Sequence, residues 1–176
     1  MTQAWSTPIP LHQLARGPVQ ARLEPDAKQR AAIARTLGLE SLPSLTADLT
    51  VRPWLDGAEV TGRFQATVEQ LCSVTLDPFE QPLAGEIAVR AVPRSSPNAP
   101  ADAPGEVELD PDAPDPPDLL DGDRVDLAAM VVEHLALAID PFPRKPGVEF
   151  EYTPPDAPDS PFAVQRKLNE PTEPKA

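Results

Sequence analysis

From Leu45 the chain alternates with a period of two: Leu45, Ala47, Leu49 and Val51 fall on one face, Thr46, Asp48, Thr50 and Arg52 on the other. Successive side chains of a strand point to opposite sides, so this pattern predicts a half-buried strand. The alternation resumes with Val60, Gly62, Phe64, Ala66 and Val68, and Asp56-Gly57 between the two runs offers the positive φ angles of a tight turn, so Leu45–Leu71 reads as a hairpin. After Asp77-Pro78, the positions Phe79, Gln81, Leu83, Gly85, Ile87, Val89 and Ala91 alternate with mostly polar neighbours, which predicts a third long strand. An antiparallel meander is the simplest connection of the three.

Two stretches change the period to that of a helix. EPDAKQRAAIARTLGL has Pro25 suited to a first turn, Asp26 near the positive end of the dipole and Gly38 as a left-handed stop, with Leu23, Ile33 and Leu37 as anchors. DRVDLAAMVVEHLALAID places Leu127, Met130, Val131, His134, Leu135 and Ala138 on one face, with Asp123 as cap and Asp126 in the first turn. Val132, Leu137 and Ile139 widen its apolar surface beyond a stripe, so this helix is expected at the centre of the core. Pro141, Pro143 and Pro146 end it. Residues 8–23 read as extended, with one or two short strands, and VEFEY reads as a last short strand.

Composition marks what lies between these blocks. The chain has 176 residues and 25 prolines, and the prolines cluster. Residues 94–118 are acidic, proline-rich and without a sustained apolar period, so a disordered insertion is expected there, with DLL and VELD able to touch the sheet. Residues 153–176 read as a proline-rich tail with a short helix opened by Ser160-Pro161 and carrying Phe162 and Leu168. The whole, 1–176, is expected to form a single domain of the α+β class: a mainly antiparallel β-sheet of about four to seven strands with two main helices packed against it.

Fifteen Lys and Arg against 28 Asp and Glu give a formal net charge of -13, which repels phosphate backbones at long range and attracts basic proteins. Cys72 is the sole cysteine, so no disulfide forms within the chain. No targeting leader is evident and no run approaches the roughly 20 apolar residues of a membrane span, so a cytoplasmic protein with no membrane partner is expected.

Nucleophilic catalysis needs a nucleophile beside a base, and the chain offers Cys72, His12 and His134 in separate segments. His134 lies within the most apolar helix, Glu133 points about 100° away from it, and Cys72 reads as a small buried thiol. No phosphate-binding glycine loop, HExxH or paired cysteines occur. These residues predict no catalytic site, no metal, no cofactor and no small-molecule substrate; the function expected is binding. Close basic pairs at Arg144-Lys145 and Arg166-Lys167, joined by Arg52 and Arg63, are the candidates for RNA contact, whereas the sheet, the proline-rich exit around Phe142 and the acidic loop acting as a phosphate mimic are the candidates for docking a basic protein, the route expected here, with Phe162 a further partner-binding candidate.

Four stretches carry a family resemblance: VTGRFQATVEQLCSVTLDPFEQPL, GDRVDLAAMVVEHLALAIDPFPRKPG with the acidic insertion before it, Pro25–Val51, and SPFAVQRKL. Together they resemble the YceD-like family of large ribosomal RNA subunit accumulation proteins over about Ala21 to Leu168, with RKPG similar to its alphaproteobacterial branch. Many relatives hold a Cys-x-x-Cys pair where Cys72-Ser73-Val74-Thr75 keeps only the first sulfur, so no metal or redox role is expected from it. The resemblance implies a part in 23S rRNA accumulation and large-subunit assembly, with a basic ribosomal protein, an assembly factor or the 23S rRNA precursor as partner. An acidic interaction or regulatory module unrelated to ribosomes is the other reading.

Overall fold

The computed structural model describes residues 5–100 and 115–150. Three long strands, β3 (Ser41–Trp54), β4 (Gly57–Leu71) and β5 (Pro78–Pro93), form the antiparallel meander expected from the period-two pattern. Strand β2 (Val19–Leu23) pairs antiparallel with β3, and β6 (Asp118–Leu120) pairs parallel with β5, giving the order β2-β3-β4-β5-β6. A two-stranded ribbon joins β1 (Pro8–Pro10) to β7 (Arg124–Asp126). With the helices α1 (Ala27–Leu37) and α2 (Leu127–Ala138), this is an α+β arrangement.

The apolar half of each alternation is the buried half. Leu45, Ala47, Leu49 and Val51 of β3, Val60, Phe64 and Val68 of β4, and Ile87 and Ala91 of β5 form one core with Ile33 and Ala34 of α1 and Leu127, Val131 and Leu135 of α2. The other face carries charges in register. Arg22, Asp48, Arg63 and Glu86 are successive cross-strand neighbours over four strands, and Arg52, Glu59 and Arg90 repeat the alternation four residues along the strands. Opposite charges facing each other across strands stabilise the sheet by a few tenths of a kcal/mol to about 1 kcal/mol per pair.

Helix α1 starts and stops as its sequence dictates. Asp26 is the N-cap: its carboxylate accepts from the Gln29 N–H, and the Gln29 amide returns the bond to the Asp26 N–H, both at 2.8 Å. Pro25 therefore precedes the cap and is not in the first turn. Gly38, at φ 69°, closes the helix in the left-handed conformation.

Local expectations differ from the structure in five further places. The hairpin loop is Leu55-Asp56, not Asp56-Gly57, since Trp54 pairs with Gly57. Leu55 takes the positive φ (51°), and Gly57 is needed for a different reason: a Cβ there would lie 1.9 Å from the Ala91 carbonyl oxygen. Helix α2 begins at Leu127, because Arg124–Asp126 is drawn off to pair with Pro8–Pro10; Asp126 is thus the cap, not a first-turn residue, and Asp123 lies before β7. The Asp126 carboxylate accepts from the Ala128 and Ala129 N–H groups and also from Thr7 and Ser6, fastening the N-terminal segment to the helix start. Within 8–23, Leu11–Arg16 coils into a 3-10 turn that buries Leu14 between β1 and β2. Leu137 is exposed, so the apolar surface of α2 is narrower than expected. No strand forms over 148–150, and the rest of VEFEY lies outside the described residues.

The expected insertion at 94–118 has ordered contacts at both described ends. Asp56 accepts from the Ser96 hydroxyl (2.7 Å) and the Asn98 amide (3.0 Å), Arg94 pairs with Asp121 (2.8 Å), and DLL joins the sheet as β6. VELD and the other residues between 101 and 114 lie outside the described residues, as does the tail from 151 with its expected helix.

Candidate partner-docking surface

Two segments meet beyond the far end of the β4–β5 hairpin. Residues 72–77 connect the strands, and residues 140–147 lead away from α2, whose last turn is followed by Pro141, Pro143 and Pro146. Backbone groups that a helix or sheet would otherwise satisfy are tied across this junction. The Ser73 N–H donates to the Pro143 carbonyl (2.8 Å), the Gln70 side-chain amide donates to the Asp140 carbonyl (3.3 Å), and the Lys145 N–H donates to Cys72 Sγ (3.5 Å). Within the loop, the Cys72 N–H donates to Asp77 O (2.9 Å) and the Leu76 N–H to Cys72 O (2.8 Å).

These bonds explain the state of Cys72. Its side chain is fully buried, as the sequence suggested, but not in an apolar pocket. The Lys145 N–H, followed by the backbone and hydroxyl of Thr75, holds the thiol below its ordinary value of 9.0, at about 6. The sulfur works as the acceptor that closes the loop onto the proline-rich segment. Position 75, where a second sulfur would stand in a Cys-x-x-Cys pair, holds a threonine whose hydroxyl also accepts from the Asp77 N–H (3.3 Å). Among the described residues no group of three or more His, Cys, Asp or Glu is arranged to hold a metal ion.

What the junction presents outward is apolar, bordered by Arg144 and Lys145 and by the carboxylates Asp77 and Asp140. Phe142 is 74% exposed and Leu76 is 71% exposed, with Leu71 beside them in sequence at the end of β4. Leu76 has φ 62°, a conformation costing a leucine roughly 1 kcal/mol or more, inside the loop closed by the two backbone bonds at Cys72. Arg144 and Lys145 follow Phe142 and are exposed, and the Lys145 ammonium lies 3.9 Å from the Asp77 carboxylate.

Of the residues singled out from sequence, Phe142, Arg144 and Lys145 are thus brought together, while Phe162, Arg166 and Lys167 lie outside the described residues. Arg52 and Arg63 do not join them. Both are on the polar face of the sheet with carboxylates across from them, and Arg52 is opposite Glu59, about 40 Å of strand away from Cys72 at ~3.3 Å per residue. His12 is exposed in the 3-10 turn, and His134 Nδ1 lies 2.9 Å from the Met130 carbonyl within α2. Leu71 and Leu76 are the members that sequence reasoning missed. Their local signals are an apolar residue on the odd, polar-facing register of β4 for Leu71, and one in a connection too short to bury it for Leu76.

Comparison with known proteins identifies a family. A family model described as large ribosomal RNA subunit accumulation protein YceD matches residues 60–175, which include every residue of this surface. No curated protein and no solved structure matches the chain.

Proposed function

The chain belongs to the YceD family of large ribosomal RNA subunit accumulation proteins, and from that premise we propose that it promotes 23S rRNA accumulation as a non-catalytic factor, by docking a protein of the large subunit or its assembly machinery on the surface around Leu76 and Phe142. The observation that carries the reading is that surface: two large apolar side chains held in water by a bonded loop, inside the family-matched region. Exposed apolar groups of this kind mark interaction sites, since burying each on a partner contributes about 1.5 to 3 kcal/mol.

Protein is favoured over RNA as the direct partner on electrostatic grounds. Phosphate contacts need concentrated positive charge, whereas the chain carries -13 and the sheet arginines face carboxylates. The net charge of -13 attracts a basic ribosomal protein at long range and repels phosphate. The non-catalytic reading is supported by the engagement of His134 within its helix and by the enclosure of Cys72, the strongest nucleophile of the chain.

Crosslinking followed by recovery of the protein, with and without ribonuclease, tests the docking. Large-subunit proteins are expected to remain after ribonuclease treatment, and Phe142→Ser is expected to reduce their recovery about tenfold. Recovery that disappears with ribonuclease, or falls steeply with salt as phosphate contacts do, would establish direct RNA binding in its place.

A further inference from the structure

The sheet is unfinished along one edge. Among the described residues, β5 pairs with β4 over Pro78–Ala91 but with β6 only over Ala91–Pro93, so from Pro78 to Arg90 no strand lies on its outer side. Two observations fix which residues face that side. The Arg94 N–H donates to the Leu120 carbonyl of β6 (3.4 Å), so even-numbered residues of this strand turn their N–H and C=O groups outward. Independently, the two-residue hairpin loop closes on Trp54 and Gly57, which commits odd residues of β4 to β3, even ones to β5, and hence odd residues of β5 to β4. Pro78 and Pro82 are even-numbered and cost the sheet no hydrogen bond. The donors that remain along the edge are those of Glu80 and, beyond Pro82, an unbroken run at Ala84, Glu86, Ala88 and Arg90.

The surroundings define what can add there. Ala84, Glu86 and Ala88 are exposed; the edge is open at Ala84 and Glu86, and at Ala88 and Arg90 it is bordered by Asp115 and Pro116, which lead into β6. Strand β6 already adds to the same edge three residues farther on. Beside Ala88 and Arg90 a groove of about 360 Å3 is lined by Glu59, Asp115 and Asp118. Arg90 does not make this groove positive, because Glu59 holds its guanidinium at 3.0 Å and Trp54 lies 5.4 Å beneath it. In sequence, residues 78–121 contain two arginines and ten carboxylates, the most acidic part of the chain.

We infer that the outer edge of β5 over Glu80–Ala88 binds an extended basic polypeptide segment by strand addition, its main chain bonded to the even-numbered residues and its lysine or arginine side chains set over Glu86 and toward Asp115 and Asp118. This deepens the docking proposed above and rests on the reading that the protein works by binding a protein partner. Main-chain bonds supply the attachment and the carboxylates select a basic sequence, as extended tails of RNA-binding proteins provide.

Amide hydrogen exchange by NMR on the full chain tests it, with a short synthetic peptide alternating lysine with valine as the probe. The peptide is expected to slow exchange at Ala84, Glu86 and Ala88 by about tenfold or more, and its counterpart alternating glutamate with valine is expected to do nothing. Ala88→Pro removes an outward N–H that the sheet does not use and should abolish the protection. Glu86→Lys, which leaves the backbone intact, should weaken binding even if the proline variant proves poorly folded. Unchanged edge amides with the lysine peptide, equal protection by the glutamate peptide, protection by polyuridylate, or protection that grows with protein concentration alone would each overturn the inference, the last by naming a second copy as occupant. If the edge fails while depletion of the protein still lowers large-subunit rRNA, strand addition is wrong and the proposed function stands.

Discussion

Cys72 shows how one side chain can be structural and chemically unusual together. Its sulfur accepts the Lys145 N–H, and that bond links the β4–β5 connection to the segment leaving α2. Hydrogen bonds to the thiolate hold its pKa at about 6, against 9.0 for an ordinary thiol, with the Lys145 N–H as the largest cause. The sign follows from linkage: a folded-state pKa below the unfolded one adds stability that is fully present above pH ~9 and is lost as pH falls through ~6. Absorbance of the thiolate at 240 nm should titrate near pH 6 in the folded protein, and Cys72→Ser should flatten the dependence of the thermal midpoint on pH between 6 and 9. Alkylation by iodoacetamide should nonetheless be slow until denaturant is added, because the sulfur is buried. Burial of this cysteine was legible from the sequence; its partners were not, since the Lys145 N–H comes from 73 positions away.

At the scale of elements, proline placement in the long strands follows the hydrogen-bond ladder. Pro43 and Pro53 of β3 lie beyond the five residues that pair with β2, and Pro78 and Pro82 of β5 face the open edge, so none removes a ladder bond. The period-two pattern made β3, β4 and β5 legible because one face is core and the other water. The three-residue strand β7 was not legible, because Arg124–Asp126 has too few positions to show a period and merges with the helical pattern that follows. The Asp-Gly signal at 56 and 57 misled by one residue: glycine is required there by the approach of Ala91, a contact between segments more than 30 residues apart. Leu11 and Leu14, three apart, did carry the spacing of the 3-10 turn, but the flanking prolines read as extended chain. Helix α2 was placed in the core, and Leu135 is fully buried there among residues of the sheet-facing cluster. Leu135→Ala is expected to cost about 2 to 5 kcal/mol by urea titration, with an unchanged slope.

For the molecule as a whole, the strands, helices and loops divide the surface into parts with different tasks. One face of the sheet is sealed by the helices, and the other is an alternating charge lattice that neutralises itself. The net charge of -13 is thus weighted toward the acidic stretch after β5 and away from the junction of Leu76, Phe142 and Arg144. Among the described residues no helix is long and apolar enough to cross a membrane. Half of the candidate site was visible in the sequence as residues just past a helix stop, where neither period can bury them. The other half, Leu71 and Leu76, became visible only with the exposure of their side chains in the fold. The most direct measurement of the account is the ratio of 23S to 16S rRNA in cells lacking the protein and supplied with either the original chain or the Leu76→Ser, Phe142→Ser double variant. The ratio should fall without the protein, recover with the original chain, and stay low with a variant whose thermal midpoint is unchanged. A ratio unaffected by loss of the protein, or fully restored by the double variant, would contradict it.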